Sequence, residues 1–251
     1  MARAEINGIG IAYEIIGDGP RSAIITPGGR FPKETPGVKQ LAQKLAESGF
    51  RTVIWDRPNC GESDISFSGV TESRMNADAL AGLLRKLKMA PAFVIGGSAG
   101  ARVSLVAAIH HPDVVDRLAV LWMTGGALSL ALLAYLYCHN SMAAAARDGM
   151  EGVAALPEWQ EQIQRNPRNR EILLSQNADA FVEKMKSWGA ALLATDEKTI
   201  PGITPEQFAK LKMPVMVFRS GQSDIHHPRA TSEAVHAAIP GVHAALVKQG
   251  L

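Results

Sequence analysis

Ala92-Phe93-Val94-Ile95-Gly96-Gly97-Ser98-Ala99-Gly100 is the stretch whose reading decides the fold. Its first four residues form a short apolar run of the kind that makes a buried strand, and the residues after Ser98 open a helical pattern reaching about His110. Small residues two before and two after a serine let the chain turn sharply from strand to helix. That turn lifts the hydroxyl clear of the sheet as a nucleophile elbow, G-x-S-x-G. The amide following the serine then lies at a helix N-terminus, where unpaired N–H groups and the helix dipole favour a developing oxyanion.

Outward from the elbow, short β-branched runs alternate with amphipathic stretches, the signature of parallel strands joined by crossover helices. Upstream, 9–16 and 22–26 read as strands, the second ending in Pro27-Gly28-Gly29. A helix is expected over 38–48, stopped by Gly49, then a strand over 51–55, and a threonine-capped helix from Thr71 to about Lys88. Downstream a strand is expected over 118–123. The rhythm breaks after Gly125-Gly126: the next eighty or so residues are helical in pattern, with no convincing strand. The sheet resumes at 215–218, followed by Ser220-Gly221-Gln222-Ser223-Asp224, a helix over 229–238 and a last strand over 244–247. This predicts an α/β fold, a mostly parallel central sheet flanked by helices, with residues 1–124 and 206–251 as the core. Residues 125–205 form an inserted helical cap over the carboxyl edge of the strands, where ligands bind in such sheets.

Length and composition agree. A chain of 251 residues, 47% hydrophobic and 20% charged, can bury a full core. A net charge of +2 without a basic stripe argues against nucleic acid as a partner. The longest apolar run, 127–138, is too short for the roughly 20 residues of a membrane span and reads as a buried or pocket-lining helix. The N-terminus has no apolar segment of signal-peptide type. Cys60 and Cys138 are far apart in sequence and suggest no disulfide framework, so a reducing cytoplasm is expected.

The chain resembles the α/β-hydrolase superfamily over essentially its whole length, most closely the cap-bearing serine hydrolases that include meta-cleavage product hydrolases, lactonases and esterases. The resemblance is carried by Pro27-Gly28-Gly29, by Asp56-Arg57-Pro58-Asn59-Cys60-Gly61-Glu62-Ser63-Asp64, by the elbow, and by Asp224 after the penultimate strand. Pro27 stands where the family more often has histidine. Asn59 replaces a usual glycine, and asparagine tolerates left-handed backbone better than most residues. The resemblance implies Ser98 as nucleophile, Asp224 as the acid behind the base, and oxyanion amides at Ala99 and Gly29, with Arg30 as the alternative to Gly29. Asp56 and Asp64 belong to a motif that is usually a structural turn.

The base departs from the pattern, because the family's histidine follows the last strand and no histidine follows His243. His243 opens a strand parallel to the others and is expected at the amino edge, a strand length of roughly 15–20 Å from Ser98. His227 lies three residues past Asp224 at the correct edge, with His226 the weaker neighbour. Three readings stay open at this point: a histidine beyond Leu251, His227 as the base, or an inactive site. His110 and His111 close a helix and receive no catalytic role. His226-His227 lacks carboxylate or cysteine partners at zinc-binding spacing, so no metal and no cofactor is expected.

The expected activity is hydrolysis of an ester, lactone, thioester or carbonyl-activated C–C bond; the alternative is a non-catalytic ligand-binding member of the same fold. A small hydrophobic acyl or aromatic substrate is the expected partner, and homodimer formation is left open. Leu132, Leu136, Met142, Trp159, Met185 and Trp188 are the cap residues that could line a pocket above Ser98, although core packing would explain them equally.

Overall fold

A computed structural model describes residues 2–193, 200–221 and 224–241, and the backbone path of 244–248. Eight strands form one sheet: β1 (Ala2–Ile6), β2 (Ile9–Ile16), β3 (Arg21–Thr26), β4 (Phe50–Trp55), β5 (Ala92–Gly97), β6 (Val115–Leu121), β7 (Val215–Arg219) and β8 (Ala244–Lys248). Their order is β1-β2-β4-β3-β5-β6-β7-β8; the β1–β2 and β2–β4 pairings are antiparallel, and every pairing from β4–β3 onward is parallel. The fold class expected from the sequence is the one found.

Two differences are local. The expected strand at 118–123 begins earlier and ends earlier, as β6. β1 went unrecognised because Ala2-Arg3-Ala4-Glu5-Ile6 has weak β character. Its signal was the turn instead: Asn7 and Gly8 adopt φ of 52° and 79°, the double left-handed geometry of a two-residue hairpin.

Alternation along the central strands explains why both faces are covered. Ile24, Val53 and Val94 enter the larger hydrophobic core, whereas their neighbours Ile25, Ile54 and Ile95 enter a smaller one on the opposite face. α2 (Glu72–Lys86) and α3 (Ala99–His110) pack on the first face, and α1 (Val38–Glu47) on the second; α10 (Arg229–Ala238) packs beside β7 and β8. Thr71 caps α2, its hydroxyl accepting from the Arg74 amide at 3.1 Å.

Between β6 and β7 the described residues form helices: α4 (Ala127–Ala134), a π turn, α5 (Asn140–Ala154), α6 (Pro157–Arg165), α7 (Arg168–Leu174), α8 (Ala178–Leu192) and a short α9 (Pro205–Phe208). These helices do not carry a core of their own. Phe67, from the loop before α2, packs its ring against Trp159, Phe181 and Trp188 at centroid distances of 5.7, 4.9 and 6.0 Å. Trp188 Nε1 also donates to the Gly69 carbonyl at 3.0 Å. Among the described residues no helix is long and apolar enough to cross a membrane.

Candidate active site

Ser98 sits at the junction of β5 and α3 with φ 55° and ψ −120°, a left-handed strain that non-glycine residues seldom adopt. The flanking glycines are what make this turn fit: a Cβ on Gly96 would come within 2.3 Å of the Gly100 carbonyl oxygen, and one on Gly100 within 2.2 Å of the Thr26 carbonyl. Ser98 is held from below by its amide, which donates to Leu121 O at 2.9 Å, and its side chain remains half-buried and open to a cavity.

The segment after β7 brings the other two groups. Asp224 Oδ1 accepts the amides of His226 and His227, each at 3.1 Å, closing a tight side-chain-to-backbone turn. Its Oδ2 lies 2.8 Å from His227 Nδ1, and His227 Nε2 lies 2.8 Å from Ser98 Oγ. An ionised carboxylate only accepts, so Nδ1 carries the imidazole proton and Nε2 presents its lone pair to the serine. Partial burial pushes the Asp224 carboxyl up, but the hydrogen bond and charge of His227 and the two amides outweigh it and hold the carboxyl below its ordinary range. Ser220 and Ser129 steady this segment by donating to the carbonyls of His227 and Ile225.

One contact escaped sequence reasoning. Thr124 Oγ1 lies 2.8 Å from Ser98 Oγ. With Ser98 donating to Nε2, the Thr124 hydroxyl donates to Ser98. The available signal was positional: Thr124 follows β6, the neighbour of β5, at the edge where Ser98 emerges.

The loop after β3 completes the site. Gly28 packs so closely on Ser98 that a Cβ there would lie 2.9 Å from the serine Cβ. Arg57 Nη2 donates to the carbonyls of both Gly28, at 3.2 Å, and Gly29. In a planar trans peptide the N–H points opposite to its carbonyl, so the Gly29 and Arg30 amides both face away from Arg57. Asp56 fixes the far end of the loop, accepting from the Lys33 amide at 2.6 Å and from Lys33 Nζ at 3.0 Å. Ala99 begins α3, so its amide is one that the helix leaves unpaired. Asn59 takes φ 67°, the left-handed conformation its motif requires. Asp64 accepts from the Gly10 amide at 2.9 Å and from Asn166 Nδ2 at 2.9 Å, a structural role.

The cavity above Ser98 has a volume of about 530 Å³. Phe31, Leu132, Leu133 and Leu136 give it apolar walls, and Glu158 with Gln162 supplies polar ones. The pocket expected from the cap residues is therefore found only in part. Leu132 and Leu136 line it. Trp159, Met185 and Trp188 are at most 1% exposed and belong to the continuous core, while Met142 and Met185 border a separate cavity beside α8. His226 reaches the rim of the Ser98 cavity. His111 instead bonds Asp78 at 2.7 Å, and His243 lies outside the described residues.

Neither cysteine competes as a nucleophile. Burial pushes the Cys60 thiol up to about 11 and the Cys138 thiol up to about 12, and both are free and buried. Glu34, Asp56 and Glu62 converge closely enough to suggest a cation site, but the Lys33 ammonium already occupies their centre, 2.6, 3.0 and 2.6 Å from them.

Sequence comparison agrees with the architecture. The profile of the alpha/beta hydrolase fold matches residues 32–171, more than half of the chain. The chain belongs to the α/β-hydrolase fold family. Within that family it is an enzyme of the hydrolase class. It is 24% identical over 255 residues to the serine hydrolase BPHL of Homo sapiens, an alignment covering 99% of this chain and 79% of that protein. Over 119 residues it is 27% identical to 2-hydroxy-6-oxononadienedioate/2-hydroxy-6-oxononatrienedioate hydrolase 1 of Pseudomonas putida, covering 47% of this chain and 41% of that enzyme. Among solved structures, the enol-lactonase from Burkholderia xenovorans LB400 superposes with a TM-score of 0.62 at 19% identity, covering 99% of this chain and 91% of that one. An esterase from Thermogutta terrifontis superposes with a TM-score of 0.64 at 21% identity, covering 99% and 90%.

Proposed function

We propose that the protein is a serine hydrolase in which Ser98 attacks a carbonyl carbon, His227 moves the protons and Asp224 orients His227. The observation that carries this reading is the unbroken chain of contacts from Asp224 Oδ2 through His227 to Ser98 Oγ, 2.8 Å at each link. As Oγ bonds to the carbonyl carbon, its proton passes to Nε2 and the carbonyl oxygen becomes an oxyanion. The Ala99 and Gly29 amides receive that charge, with Arg30 as the alternative second donor; such a donor is worth about 10²–10³ in rate. The imidazolium then protonates the leaving group, and water, deprotonated by the same Nε2, releases the acyl group and restores Ser98.

The substrate class is an ester, lactone, thioester or carbonyl-activated C–C bond with a hydrophobic acyl or aromatic portion, as the leucine-lined cavity favours. Residues 125–205 serve as a lid over a core of 1–124 and 206–251, since α4 and α6 both contribute to the cavity wall. Buried free cysteines suit a reducing cytoplasm. The non-catalytic alternative drew on the lack of a base in the family's usual position, and His227 supplies one within reach of the serine. A fluorophosphonate probe tests the reading: the folded protein is expected to label on Ser98, and Ser98→Ala to abolish labelling. A folded wild-type chain that neither labels nor hydrolyses a panel of p-nitrophenyl esters would overturn it.

A further inference from the structure

We propose that a small enclosed space behind the loop after β3, bounded by Arg57, Asn76 and Arg102, binds a single halide-sized monovalent anion. Gly29, Arg30, Ala99 and Tyr137 line both this space and the Ser98 cavity, and its volume of about 10 Å³ is the size class of one small occupant.

The charges around it do not balance. Arg30, Arg57 and Arg102 all border it, against one carboxylate, Glu72. Glu72 is already committed: it pairs with Arg30 at 3.1 Å and accepts from Asn59 Nδ2 at 3.2 Å. Arg57 is 3% exposed and Arg102 6%, and among the described residues neither has a carboxylate partner. Among the described residues Arg57 donates only to the two loop carbonyls, and Arg102 only to Ser73 Oγ at 2.8 Å. The other ionisable neighbours add no negative charge, because burial raises both the Cys60 thiol and the Tyr137 phenol.

The hydrogen bonds point the same way. Arg57 Nε and Arg102 Nη1 are fully enclosed donors without an acceptor, and the side-chain oxygen of Asn76 is enclosed without a partner. Asn76 turns either its oxygen or its NH₂ toward the space, since the two ends of the amide are nearly isosteric. A water molecule would satisfy the orphaned N–H groups, but it would leave two buried guanidinium charges uncompensated, which is costly in a low-dielectric interior. A halide accepts from both arginines and removes one of the two excess positive charges. The enclosed volume excludes anything much larger than a halide.

Thermal melting in sodium bromide, sodium chloride and sodium gluconate at equal ionic strength tests this directly, with gluconate too large to enter. The wild-type chain is expected to melt several degrees higher in either halide than in gluconate, because a ligand bound only by the folded state stabilises it. Arg102→Met is expected to lose that difference. Crystals soaked in bromide are expected to show an anomalous peak between Arg57 and Arg102, a readout that needs no variant to fold. Absence of the peak, or identical melting in all three salts, would mean that water fills the space and would overturn the proposal. Neither measurement depends on Ser98 chemistry, so the proposal and the hydrolase reading fail separately.

Discussion

The loop after β3 and the segment after β7 reach Ser98 from the same edge of the sheet, but they are anchored in opposite ways. The first is clamped by groups deep in the fold: Asp56, Lys33 and Arg57 are at most 3% exposed, and they hold its carbonyls and amides from behind. The second is organised by a single carboxylate whose side chain is 34% exposed, with the histidine three residues on at 22%. The proposed oxyanion donors must be immobile before charge develops, which a loop anchored in the scaffold provides. A base has to exchange protons and can stand on a local turn. Disturbing the first loop should therefore damage both stability and rate, whereas disturbing the second should damage chiefly rate, with only a small pH-dependent effect on stability.

The sharpest break comes from His227→Ala. Removing the base of such a unit lowers kcat by about 10⁶, and the loss should come with little change in melting temperature because the side chain is partly exposed. Ester hydrolysis and a melting curve on the same preparation check both halves. A large fall in stability would mean that the segment after β7 is as structural as the loop after β3, and the contrast would go.

Asp224→Asn is the next largest. The substituted amide oxygen can still accept from the His226 and His227 amides, so the turn survives. Its NH₂ then faces Nδ1, which forces the imidazole proton to Nε2 and points a donor at Ser98. A drop in kcat of about 10⁴ is expected for that wrong tautomer. Stability carries a pH signature as well. The Asp224 carboxyl lies below its ordinary value, so its contribution is complete above a pH of about 4 and is lost as pH falls through the lower folded value. Melting curves of wild type and Asp224→Asn should accordingly differ at neutral pH and converge in acid.

These two loops were also unequally legible in the sequence. The elbow announced itself through glycine spacing, and the role of Asp56-Arg57 as a turn came from resemblance, but no pattern revealed that Arg57 would reach back to Gly28 and Gly29. His227 was visible as one of three open readings, because an i, i+3 spacing fixes proximity to Asp224 and says nothing about the distance to Ser98. Trp159 and Trp188 were left between pocket and core for a general reason. Helical periodicity marks which face of a helix is apolar, yet Trp159 and Trp188 had two apolar destinations, a pocket or Phe67, and only tertiary packing distinguishes them.

Arg57→Gln sharpens the comparison from the scaffold side. Glutamine keeps a donor but is too short and uncharged to bridge the two carbonyls as the guanidinium does, so the Gly29 and Arg30 amides lose their fixed aim. A misplacement on the order of 1 Å can cost about 10² in rate. The expected outcome is a kcat reduced by up to that factor, a KM close to wild type, and a lowered melting temperature. Retained stability with lost rate would place the two loops in the same class.

The smallest effect belongs to Thr124→Val, which removes the hydroxyl that donates to Ser98 Oγ while keeping the side chain's shape. In the resting site that donor competes for a lone pair that must swing toward the carbonyl carbon, and it also steadies the oxygen in line with His227. The two effects oppose one another. A single hydrogen bond is worth about 0.5–1.5 kcal/mol, so the second-order labelling rate should change by less than about tenfold in either direction. Thr124→Ser, which restores the donor, should return it to the wild-type value. A hundredfold loss in the valine variant that serine rescues would show that the strand between the two loops, β6, also supplies a group to the reaction, and the site would then rest on three segments with three different degrees of anchoring.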